Sequence, residues 1–295
     1  MKNYPDKPIR IVAAQPRGGN DFAARVIAQG LTSRLGLPVL VDNLPGGTRG
    51  AETVLEAAPN GYTLLSADNQ SWIEPLLRKA PYDVAEDFAP VIAAINAPFA
   101  LYVNSSVAAE SIGELIALAK ASPGKLKYGS GGPGSSSHLA TELLKSMAGV
   151  DILRVPYSGI ATAVSGLAAG EVQMLFASAT AVAPQIRSGK LKALAVADAR
   201  PSALFPGLPT IAETLPGYET VQVYGILAPA KTPAPIIQRL NREIAQVLNS
   251  AEVKERLHLA GVEVVANTPE AFAALIKTEI ARWSKLVRDT GLCAA

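Results

Sequence analysis

Cysteine is nearly absent from this chain: Cys293 is the single one among 295 residues. That excludes a disulfide framework and a thiolate metal cluster, and a cysteine so near a terminus is a poor nucleophile. Histidine is almost as scarce, with only His138 and His258. Aromatic residues make up 5% and the net charge is +2; with no basic run either, nucleic-acid binding is not expected. No apolar run reaches the ~18 residues of a membrane span, and the longest, residues 89–103, is broken by Asn96 and Pro98. The first residues, M-K-N-Y-P-D-K-P, carry no apolar signal region. Two readings follow: a cytoplasmic protein, or a mature form with a start Met added. Catalytic signatures are missing too, since G-x-S-x-G, H-E-x-x-H and G-x-x-x-x-G-K-[ST] do not occur. Asp21, Asp68 and Asp83 fall near predicted strand ends, but spacing defines no carboxylate pair.

What is present is a globular composition, 49% apolar and 18% charged, in a chain long enough for one large or two ordinary domains. Strand-like and helical periodicities alternate. Residues 9–14 (I-R-I-V-A-A) read as a strand, followed by a glycine turn and a helix carrying Phe22, Val26, Ile27, Leu31 and Leu35 on one side. Further strands are predicted at 37–41, 63–67, 153–155, 172–176, 193–197 and 221–227, with helices between them. Ser111 and Glu114 form a capping box for a helix over 111–121. Residues 200–218, rich in Pro and Gly, read as a long surface excursion. Thr232-Pro233 and Thr268-Pro269 open two C-terminal helices. This alternation argues for α/β architecture with largely parallel sheets.

The chain is organised around K-Y-G-S-G-G-P-G-S-S-S-H-L-A-T-E-L-L-K-S-M at 127–147. A short strand runs into four glycines, and three serines open a helix with Leu139, Leu143, Leu144 and Met147 on its apolar face. Glycine admits close backbone approach, and a helix start offers unpaired N–H groups with a positive dipole end, so such a junction binds anions. An ordinary glycine turn with a serine cap fits the same residues. P-R-G-G-N-D at 16–21 repeats the device before the first helix. G-S-G-G-P-G at 129–134 matches the dinucleotide pattern G-x-G-x-x-G, but Asp151 begins a segment rather than ending a second strand, and K-L-K-Y is too polar for the first. His138 reads either as a neutral donor near an anion or as a packing residue. Trp72 and Phe99 are pocket walls or core, and Asp21 suits a helix N-terminus as a structural acid.

Taken together in order, these segments resemble the Bug (TctC-like) solute-binding proteins of tripartite tricarboxylate transporters. The resemblance is carried by Y-P-D-K-P-I-R-I-V (4–12), P-R-G-G-N-D (16–21), A-P-N-G-Y-T-L-L (58–65), P-Y-D-V-A-E-D-F-A-P-V (81–91) and P-G-K-L-K-Y-G-S-G-G-P-G-S-S-S-H-L (123–139). It continues through V-P-Y-S-G (155–159), G-K-L-K-A-L-A-V (189–196), L-P-T-I-A-E (208–213) and L-A-P-A-K-T-P (227–233).

The resemblance implies a two-domain type II periplasmic binding fold of the Venus-flytrap kind, with mixed, mostly parallel sheets flanked by helices. Residues 1–101 plus 225–295 would form a discontinuous domain 1 and residues 102–224 domain 2, with the ligand cleft between them. It implies a monomeric periplasmic protein, not an enzyme, with no cofactor and no metal, whose signal peptide is absent from this sequence. Its partners would be a small organic acid anion, di- or tricarboxylate or aromatic, and the permease subunits that receive it. The ligand loops fall on Gly18, Gly19, Asn20 and Asp21 and on Gly134, Ser135, Ser136 and His138. Asn69, Trp72, Tyr157, Ala177 and Ser178 complete the expected set. Arg17 departs from the family's loop, and Ala177-Ser178 stand where relatives that bind amino or hydroxy acids carry Asp, so ammonium recognition is not expected there. The competing reading is a cytoplasmic enzyme that uses loop 129–134 for a nucleotide or phosphorylated substrate.

Overall fold

The computed structural model describes residues 4–14, 16, 18–44, 48–132 and 134–292. Arg17, Gly46, Gly47, Pro133 and Cys293 lie outside the described residues. The chain begins with β1 (Ile9–Ala13), α1 (Gly19–Leu35), β2 (Val39–Asn43), α2 (Arg49–Leu55), β3 (Thr63–Asp68), α3 (Asn69–Leu77), α4 (Val84–Asp87) and β4 (Phe88–Ala97). Next come β5 (Ala100–Asn104), α5 (Ile112–Ala121), β6 (Lys127–Ser130), α6 (Ser136–Ala148), β7 (Leu153–Pro156), α7 (Ile160–Ala169), β8 (Met174–Ala177), α8 (Ala179–Arg187) and β9 (Leu191–Val196). It ends with β10 (Gln222–Pro229), α9 (Ala234–Leu248), α10 (Ala251–Leu259), β11 (Glu263–Val264) and α11 (Pro269–Thr290).

These elements form two compact units. Unit 1 gathers the chain up to Asn96 with Val223–Leu259 and Glu263–Lys285; unit 2 gathers Ala97–Gln222, Ala260–Val262 and the chain from Leu286 on. Each holds one mixed sheet. In unit 1 the order is β11-β4-β10-β3-β1-β2, with β1 parallel to β2 and β3, and β10 antiparallel to β3. In unit 2 the order is β7-β6-β8-β5-β9, with β6, β7 and β8 parallel and β5 antiparallel to β8 and β9. Each parallel strand ends in a helix N-terminus on the same sheet edge. This is where ligands bind in open α/β sheets.

Periodicity becomes packing as expected on α9, whose Ile236, Ile237, Leu240, Ile244, Val247 and Leu248 are all buried. Gly30 on α1 is a packing glycine: a Cβ there would lie 2.2 Å from Val247 Cγ1. Two expectations need correction. Residues 200–218 are no mere surface excursion, because Ile211 and Tyr218 are fully buried. The Tyr218 hydroxyl donates to Ala140 O at 2.9 Å, and its ring stacks on Phe176; Pro and Gly content says nothing of such anchors. Residues 68–73, expected to bring Asn69 and Trp72 to the ligand, are instead a helix start: Asp68 accepts from Gln70 N at 3.0 Å, and Asp68 N donates to Ser71 Oγ at 3.3 Å.

Candidate functional site

Both glycine turns become helix N-termini left uncapped by their own side chains. Gly18 is the N-cap of α1 and has nothing to cap with; Ser135 is the N-cap of α6, and its hydroxyl makes no cap bond. By contrast, Ser111 caps α5, accepting from Glu114 N at 3.2 Å. The first N–H groups of a helix have no intrahelical acceptor, so at α1 and α6 these donors and the positive dipole end are left without a side-chain cap from Gly18 or Ser135. The ordinary serine cap is thereby corrected.

In unit 2 the serines instead brace the loop. Ser137 Oγ accepts from Gly131 N at 3.1 Å and lies 3.3 Å from Ser135 Oγ, while the Ser136 hydroxyl donates to Gln222 Oε1. Gly134 sits at φ 74°, a left-handed conformation that glycine adopts without strain. Its N–H donates to His138 Nδ1 at 3.1 Å. The imidazole proton therefore resides on Nε2. Burial, helped by the nearby Arg154 guanidinium, lowers the His138 pKa to about 4. Sequence reading missed Arg154. Its Nε donates to Ser130 Oγ and its Nη2 to Gly131 O, both at 2.8 Å, so a guanidinium backs the loop. The signal was a lone charge inside the short strand L-R-V.

Neutral His138 at physiological pH gives the first prediction. Its NMR titration is expected to have a midpoint near 4, moving to about 6.5 in denaturant. Because the folded value lies below the unfolded one, His138 favours the fold above about pH 6.5. That contribution is lost as pH falls towards about 4. An ordinary midpoint in the native protein would show the Gly134–His138 bond to be misassigned.

In unit 1 the α1 N-terminus borders a cavity of about 390 Å³, lined by Gly18, Gly19, Asn20, Asp68, Tyr82 and Tyr224 among others. Tyr224, on β10, explains why position 19 is glycine: a Cβ there would lie 2.0 Å from its hydroxyl oxygen. Desolvation raises the Tyr224 pKa and pushes that of Tyr82 up to about 12, so both phenols remain protonated donors. Neither Asp68 nor Tyr224 was anticipated as a site residue.

The other expected residues fall as follows. Asp21 is 4% exposed, and its Oδ1 is bound by Asn43 Nδ2 and Arg25 Nε, both at 2.9 Å. That carboxylate braces the α1 start. Asn69 is buried outside the cavity lining; it donates to Glu279 Oε2 at 3.1 Å and accepts from Val223 N at 2.6 Å. Trp72 is 1% exposed and packs edge-on against Phe272 in the core. The core reading describes Trp72, because α3 carries its ring inward. Tyr157 turns its hydroxyl to Glu171 at 3.0 Å, while its N–H donates to Ser130 O at 2.8 Å. Ala177 is buried at the end of β8, and Ser178 is the N-cap of α8 with Oγ 3.2 Å from Thr180 Oγ1.

Sequence and structure comparisons assign the family. The model for the tripartite tricarboxylate transporter family receptor, TctC, matches residues 23–292. The chain belongs to the TctC family. Among TctC relatives, Protein BugT of Bordetella pertussis is 37% identical over 98% of this chain and 90% of its own length. Two solved structures share the fold. R. palustris Rpa4515 with adipate has a TM-score of 0.81 at 34% identity, covering 98% of this chain and 99% of that one. MatC from Rhodopseudomonas palustris with bound malate has a TM-score of 0.78 at 29% identity, covering 96% and 100%. The fold is thus that of periplasmic binding proteins, and the TctC family and its structural neighbours are solute-binding proteins.

Proposed function

We propose that this chain captures a small organic carboxylate in the periplasm and delivers it to the permease of a tripartite transporter. The observation that carries it is the pair of uncapped helix starts at Gly18 and Ser135, each following a parallel strand. Adipate and malate in the two similar structures support a di- or tricarboxylate; an aromatic carboxylate belongs to the same class of anion. Backbone N–H groups would hold the carboxylate, and a hydrogen bond to a charged partner is worth about 1.5–3 kcal/mol. No bond in the ligand need change, so the reading requires no catalytic group.

The test is thermal unfolding against mono-, di- and tricarboxylates, aliphatic and aromatic, with NAD and sugar phosphates as controls. A ligand at about 100 times its Kd adds about 2.7 kcal/mol of stability, enough for a visible midpoint shift. A shift with a carboxylate subset is the expected result. Stabilisation by nucleotides or phosphates alone would instead point to an enzyme that uses loop 129–134. Ser135→Ala and Ser136→Ala are expected to weaken the binding less than about tenfold, because the backbone donors remain.

A further inference from the structure

The cavity of unit 1 is not a plain anion cradle. Beside the α1 N-terminus it carries the Asp68 carboxylate, which caps α3 and accepts from Gln70 N at 3.0 Å and Asn20 Nδ2 at 2.9 Å. Asn20 also lines the cavity, and its Oδ1 is a buried acceptor with no partner among the described residues. The charged groups of the wall besides Asp68 are Glu74 and Arg78, which pair with each other. Burial raises the Asp68 pKa to about 6, so at neutral pH it is largely ionised and can only accept hydrogen bonds. A ligand carboxylate set against it is repelled, whereas a hydroxyl or ammonium is attracted. The cavity's volume suits a small molecule.

Building on the carboxylate-capture reading, we propose that Asp68 is a specificity-determining acceptor selecting acids that carry a hydrogen-bond donor, hydroxyl or ammonium, beside their carboxylates. The donor would meet Asp68 in the cavity, with the orphaned Asn20 Oδ1 as a second acceptor nearby. This places donor recognition in unit 1, apart from Ala177 and Ser178 in unit 2.

The test uses calorimetric titration of the full chain and of Asp68→Asn, a change that keeps both size and helix-capping ability. The probes are four- to six-carbon dicarboxylic acids, plain and with one hydroxyl or amino substituent, such as succinate, malate and aspartate, with thermal unfolding as a fold check. The wild type is expected to bind one substituted acid at least about tenfold more tightly than its plain counterpart. Asp68→Asn should erase most of that ratio and bind the plain acid at least as tightly as wild type does. The hydroxyl and amino arms identify which donor is selected. A wild type that prefers plain acids, or a ratio unchanged in Asp68→Asn, overturns the inference while leaving carboxylate capture intact. Binding of no carboxylate at all overturns the capture reading itself.

Discussion

Gly19→Leu is expected to lower carboxylate affinity at least about a hundredfold, the equivalent of about 2.7 kcal/mol. The cause is steric. A Cβ at position 19 would lie 2.0 Å from the Tyr224 hydroxyl oxygen and 2.2 Å from its Cζ. Either the ring moves or the first turn of α1 shifts away from it. Overpacking of this kind costs about 1–3 kcal/mol, and either response disturbs both the cavity and the presentation of the N–H groups. Tyr224→Phe in the Gly19→Ala background keeps the ring and should not restore binding, whereas Tyr224→Ala removes it and should restore part. Titration calorimetry with a carboxylate that binds the wild type, checked by circular dichroism, reads this directly. Wild-type affinity in Gly19→Leu would show that α1 does not touch the ligand.

Glu279→Ala is expected to produce the largest loss of stability, about 3–5 kcal/mol, the usual result of breaking a buried charged pair. Glu279 is 6% exposed on α11. Its Oε2 accepts from Asn69 Nδ2 at 3.1 Å and from Trp283 Nε1 at 2.9 Å, and its Oε1 from Arg282 at 2.8 Å. Alanine leaves the two buried donors unmatched and deprives Arg282 of this acceptor. The Asn69 amide would also lose an anchor of the position from which it holds Val223 N. Thermal unfolding should fall by roughly 6–20 °C, given about 2–4 °C per kcal/mol for a domain of this size. Glu279→Gln, which keeps one acceptor, should cost less. A midpoint unchanged in Glu279→Ala would mean that the network carries no net stability.

The two strand-to-helix turns were legible in the sequence because their signal is local: a strand, glycines and an amphipathic helix follow one another within a few residues. What completes them was not. Tyr224 reaches Gly19 through antiparallel pairing of β10 with β3, a contact between segments far apart in the chain. Arg154 reaches Ser130 and Gly131 through parallel pairing of β7 with β6. Asn69 and Trp72 were placed in the expected ligand set without the D-N-Q-S cap that starts α3. Once that helix forms, Trp72 turns into the core and Asn69 towards Glu279. Asp68 is legible as a helix cap; its place in the cavity wall requires the fold.

The most direct test of the account is calorimetric titration of one stabilising carboxylate into the wild type, Gly19→Leu and Gly134→Leu, since each variant perturbs one loop. Gly134 adopts φ 74°, so leucine there is strained by about 1–2 kcal/mol besides blocking close approach. Saturable binding in the wild type with severe loss in both variants is the predicted result. Wild-type affinity in correctly folded Gly19→Leu and Gly134→Leu would contradict the claim that helix-start N–H groups capture the carboxylate.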